Sequence, residues 1–87
     1  MSVHHAISEH SRRQASRIEN FNRLDGLREQ HIEEAVAKCV RGEAFTVAAI
    51  NEITAAINEL ARQGIVPTRR SVTEQMVRDY AESLKNS

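Results

Sequence analysis

"INEITAAINELARQGIVPTRRSVTEQMVRDY", Ile50 to Tyr80, is the stretch on which the fold turns. Ile50, Ile53, Ile57 and Leu60 recur at intervals of three, four and three residues, which is one side of an α-helix. Ala49, Ala56 and Ala61 flank that seam and leave room for a neighbouring helix to come close. The spacing predicts a helix over Val47–Gln63, ~25 Å long at the usual rise per residue, with Thr46 as its N-cap and Gly64 closing it. Pro67 cannot continue a helix, and it biases Val66 toward an extended conformation. Ile65 and Val66 are apolar in a connection, so they are expected to turn inward and plug the end of the core.

A further helix follows, and its start has two candidates. Ser71 with Glu74 fits a capping box, while Thr73, with Val72 before it and Val77 after it, fits a cap with a hydrophobic staple. Thr73 is preferred because the staple also places Val72. Met76, Val77, Tyr80 and Leu84 are then the expected inner face.

Upstream, a segment from about Val3 to Arg41 is helical in pattern. Val3, Ile7, Ile18 and Phe21 recur at helical spacing, but Ser11 and Gln14 interrupt the stripe. Leu24, Leu27, Ile32, Ala35, Val36, Cys39 and Val40 form a broader apolar face. Asn20, Asn22, Asp25 and Gly26 all have poor helix propensity. Two readings stand: one long helix bent near Asp25-Gly26, or two helices meeting there. The first is favoured because no proline or loop-length polar run intervenes. Gly42 suits the residue after that helix, where a left-handed backbone costs glycine little. The expectation is an all-α protein: one domain over residues 1–87, folded as a small antiparallel bundle of three to four helices. No internal repeat is apparent.

Composition narrows the function classes. A chain of 87 residues buries only ~60–65% of its unfolded surface, so its core is small and oligomerisation is a natural route to stability. Phe21, Phe45 and Tyr80 are the aromatic residues, leaving Ile, Leu, Val and Ala to build the interior. Twelve basic and twelve acidic side chains cancel, so no overall field draws the chain to nucleic acid or an anionic membrane. The single Cys39 excludes an internal disulfide and fits a reducing compartment. No apolar run approaches a membrane span, and "MSVHHAISEHSRR" has no signal-peptide core. A soluble cytoplasmic protein is expected.

Candidate chemistry is thin. His4, His5, Glu9 and His10 fall within two helical turns, and imidazole with carboxylate on one helix face is metal-ligand chemistry. The only other histidine, His31, does not complete a set, and a polar helix surface accounts for the group. Cys39 lies on the apolar stripe with Val36 and Val40, which reads as a structural thiol. Glu29, Glu33 and Glu34 surround His31 with nothing to make a pocket for acid–base work. No glycine-rich phosphate loop occurs. No enzyme activity and no cofactor are expected. Arg62, Arg69, Arg70 and Arg78 form a local basic excess against Glu74 around the joint, and phosphates are what such a group would meet. The segment "NELARQGIVPTRRSV" resembles the opening of the DNA-binding domain of KfrA-type plasmid proteins. The recognition helix that follows in those domains has no counterpart up to Ser87.

A broader likeness spans most of the chain. "HSRRQ", "LDGLREQHIEEAV" (Leu24 to Val36) and the Ile50–Tyr80 block together resemble the YpbS-like family, small proteins of spore-forming Gram-positive bacteria classed as a domain of unknown function. The resemblance implies a bacterial cytosolic protein with an all-helical fold, and it brings no activity, cofactor or site residues. Two functional expectations follow. One is a protein–protein interaction module, a homo-oligomer or an adaptor, because the amino-terminal apolar positions have no internal helix of equal length to meet. The alternative is nucleic-acid binding through a helix-turn-helix-like joint carrying Arg62, Arg69, Arg70 and Arg78.

Overall fold

The computed structural model describes residues 2–86, with side chains from residue 11 onward. Among the described residues there are three α-helices, α1 (Ser2–Val40), α2 (Ala48–Ala61) and α3 (Glu74–Lys85), and no strand. The 39 residues of α1 run unbroken through Asn20, Asp25 and Gly26. A helix of that length is about 58 Å long, and the longest dimension of the molecule is 61 Å. The chain therefore neither breaks nor folds back at Asp25-Gly26. A glycine inside a helix costs only about 1 kcal/mol relative to alanine, and Asp25 and Arg28 on either side are tied to the rest of the fold.

The end of α1 follows its local sequence. Gly42 adopts a left-handed backbone (φ 76°). Its N–H donates to the Cys39 carbonyl (3.1 Å), and the Glu43 N–H donates to the Lys38 carbonyl (2.8 Å). This is the paired closure of a Schellman motif. The second helix starts one residue later than its sequence signal, at Ala48, so the N-cap position falls to Val47. The Thr46 hydroxyl still accepts from the Ala48 N–H (3.1 Å), satisfying a free donor from one position further out.

Within α2 the buried residues are Ile50, Thr54 and Ile57, the last with no exposure at all. Ile53 and Leu60 are only half-buried, so the expected isoleucine seam is rotated toward Thr54. A threonine is accommodated there because its hydroxyl both donates and accepts. It donates to the Ile50 carbonyl (2.8 Å) and accepts from the Arg28 Nε (2.8 Å).

The third helix is capped as the staple reading expects. The Thr73 hydroxyl accepts from the Met76 N–H (3.1 Å), and Val72 and Val77 are buried in one cluster. The joint's buried apolar residue is thus Val72, whereas Ile65 and Val66 are half-buried. The inner face differs from expectation as well. Val77 and Ala81 are buried, while Met76, Tyr80 and Leu84 are 46%, 57% and 48% exposed. The reason lies in how the helices meet. Both α2 and α3 pack on α1, and their backbones do not approach one another. One neighbour covers only part of α3's broad apolar arc. The core is correspondingly small: Ala35, Val36, Ile50, Val72, Val77 and Ala81, edged by Ile32, Cys39, Phe45 and Val47. In this small helical arrangement α1 is a spine with two shorter helices laid against it.

Candidate interaction surface

The joint between α2 and α3, residues 62–73, is held by two asparagines of α2. The Asn58 carboxamide donates to the Arg69 carbonyl (3.0 Å) and accepts from the Arg69 N–H (2.8 Å). Asn51 does the same for Val72, donating to its carbonyl (2.9 Å) and accepting from its N–H (2.7 Å). Each side chain thereby pairs with a backbone unit as a neighbouring strand would. The spacing is physically matched. Seven helical residues rise about 10.5 Å, and three extended residues cover about 10 Å. The signal for this was present as a recurring tripeptide, Ile50-Asn51-Glu52 and Ile57-Asn58-Glu59.

Arg28 completes the anchoring from α1. Besides its bond to Thr54, its guanidinium donates to the Arg70 carbonyl (2.7 Å). Sequence reasoning passed over Arg28 because its partners lie 26 and 42 residues away.

The four arginines singled out in the sequence are dispersed by these contacts. Arg69 forms a two-point ion pair with Asp25 (3.0 and 3.4 Å) and lies over the Phe21 ring, 5.1 Å from its centre. Arg78 pairs with Glu74 (3.3 Å) and lies over Phe45 at 5.7 Å. Arg62 pairs with Glu59 (3.3 Å) in full view of solvent. Arg70 is exposed, and among the described residues its side chain has no carboxylate partner. Phe45 sits beside Ala35, and ten helical residues, about 15 Å, separate Ala35 from Asp25. Arg69 and Arg78 therefore serve different places. Nor does the joint have helix-turn-helix geometry, in which two helices pack across a turn of three to four residues.

The other sequence candidates yield little that is active. His4, His5, Glu9 and His10 lie outside the described side chains. His31 is half-buried beside Glu34, Ala35 and the start of α2. No set of three metal-ligating side chains occurs among the described residues. Cys39 is a free, half-buried thiol at the edge of the core. At the α1 terminus, the hydrogen bond from Arg41 (2.8 Å) holds the exposed Glu43 carboxyl below its ordinary range.

An apolar groove of about 740 Å³ lies between α1 and α3. Ile32, Val36 and Val40 of α1 face Met76, Tyr80 and Leu84 of α3 across it, with Glu29 and Glu33 among its lining. Beyond the groove, α1 runs on toward its amino end. Between Ser11 and Asn20 only Gln14 and Arg17 are even half-buried, and Ile18 is 44% exposed. Among the described residues no helix is long and apolar enough to cross a membrane.

No solved structure matches the chain. It is 55% identical over 82 residues to "Uncharacterized protein YpbS" of Bacillus subtilis (strain 168), covering 94% of this chain and 96% of that protein. Residues 1–83 match the family described as "Protein of unknown function (DUF2533)". An unbroken spine helix, an asparagine-held joint and an open apolar groove are thus features of a member of that family, to which this chain belongs.

Proposed function

We propose that this protein acts by contact with other protein surfaces, and that its first partner is a second copy of itself. The observation that carries the reading is the α1–α3 groove. Met76, Tyr80 and Leu84 lie at four-residue spacing along α3, each about half exposed, and face Val40 across an unfilled channel. Apolar side chains grouped this way on a small soluble domain mark an interaction site. The small core supports the same reading, since association adds burial that a chain of this size lacks. The role proposed is non-catalytic and the compartment the cytosol, in keeping with the free thiol. For the architecture, Thr54 meets Arg28 while Thr46 and Ala49 lie beside Lys38, which supports α2 running antiparallel to α1. Nucleic-acid binding stands second, because three of the four joint arginines are already held by carboxylates.

Sedimentation velocity over a hundredfold concentration range tests the proposal. A dimer is expected at micromolar protein. Tyr80→Lys combined with Leu84→Lys, both on the exposed side of α3, is expected to shift it to monomer with helical circular dichroism unchanged. A wild-type chain that stays monomeric throughout removes the self-association reading.

A further inference from the structure

We infer that two copies pair through antiparallel α1 helices, the amino-terminal half of each α1 lying in the α1–α3 groove of the other. This rests on the self-association proposed above and names its geometry. Three observations converge on it. The first is a continuous uncovered side of α1. Ser11, Ala15, Ile18 and Asn22 are spaced by four, three and four residues, and so are Glu29, Glu33, Val36 and Val40, about five helical turns further on. That alternation keeps one side of a helix facing a partner helix. All eight are exposed except Val36, and the last four line the groove. The side that forms the groove floor thus continues into the amino-terminal half.

The second observation is length. The groove runs along α1 from Arg28 to Arg41, about 20 Å of helix. The segment Ser2–Asn20 of α1 is about 28 Å long, enough to fill it. With Asn22 level with itself across a two-fold axis, Ala15 comes level with Glu29 of the partner subunit, and Ser11 with Glu33 of the partner subunit. The small side chains at 11 and 15 let the helices approach over the groove floor.

The third is charge. Arg12, Glu19, Arg23 and Glu33 are exposed, and none has an ion-pair partner among the described residues. In the antiparallel arrangement Arg12 flanks Glu33 of the partner subunit and Arg23 flanks Glu19 of the partner subunit, each contact occurring twice by symmetry. Parallel pairing would instead set each of these charges against its own copy, which is repulsive. Opposite charges brought together along paired helices are how such helices select orientation.

The test uses full-length protein carrying Cys39→Ser, with a spin label at Ser11→Cys or at Asn22→Cys, both exposed positions. Antiparallel pairing sets the Ser11 labels about 34 Å apart and the Asn22 labels about 10–15 Å apart, from the helical rise and an interaxial distance of 8–10 Å. A companion experiment reverses charge. Arg12→Glu is expected to weaken the dimer about tenfold, and Glu33→Arg on top of it to restore association. Short distances at both positions would mean parallel helices and overturn the inference. So would a stable dimer with no measurable coupling at Asn22, since a different surface is then in use. A chain that sediments as a monomer at every concentration would instead sink the self-association reading itself.

Discussion

The Asn58 carboxamide occupies a place that a strand's peptide group would fill, offering one donor and one acceptor to the backbone of Arg69. Replacing it by alanine frees both groups, and partial exposure lets water take them up. Asn58→Ala is therefore expected to cost about 1–2 kcal/mol. Asn51→Ala is expected to cost more, about 2–3 kcal/mol, because Val72 is buried and water reaches its N–H and carbonyl poorly. Urea unfolding of the two variants measures the difference, and equal losses would show that burial of Val72 does not matter. These roles escape residue-by-residue reading for a physical reason. An exposed asparagine in a helix is ordinarily a weak helix former, and nothing local says that its partner lies 11 or 21 residues downstream.

Helix ends and helix faces differ in how readily they are read. Gly42, Gly64 and Thr73 close or open their helices through bonds to residues within five positions, so their chemistry is visible in short stretches. Faces depend on what covers them. Met76, Val77, Tyr80, Ala81 and Leu84 span about 140° of α3's circumference, and only the position of α1 selects Val77 and Ala81 for burial. The groove was illegible in the sequence for the same reason. Met76, Tyr80 and Leu84 look like core residues until the second helix that would cover them is found packed elsewhere. Two glycines separate local from tertiary causes in an experiment. At Gly26 the helix continues and an added methyl group meets open space, so Gly26→Ala is expected to stabilise by about 0.5–1 kcal/mol. At Gly42 the backbone is left-handed, so Gly42→Ala is expected to destabilise by about 1 kcal/mol. Thermal unfolding followed by circular dichroism should move in opposite directions for the two, and a loss at Gly26 would point to an unrecognised close approach there.

Across the whole molecule, Arg28 is the side chain through which the spine holds both α2 and the joint. Its bonds to the Thr54 hydroxyl and the Arg70 carbonyl join three parts of the chain at one guanidinium. Arg28→Ala is expected to cost about 2–4 kcal/mol, since two charge-assisted bonds go and Thr54 is left with an unused lone pair in the core. Arg28→Lys should recover little, because one ammonium cannot span the two acceptors with the same fork. Chemical denaturation distinguishes these outcomes, and full rescue by lysine would mean that charge alone suffices.

The asparagine pair on α2 carries a lesson about length. A helix climbs slowly and an extended chain quickly, yet the two come into step at seven residues of one and three of the other. Two marks cut on a slow ruler thus fix two graduations on a fast one. The distance from residue 69 to residue 72 cannot change by even one residue without losing a mark, whereas no asparagine pair grips residues 65–68, where extra length has somewhere to go. Any helix bearing asparagine at positions seven apart holds half of such a gauge, and an extended segment brought alongside would supply the other half.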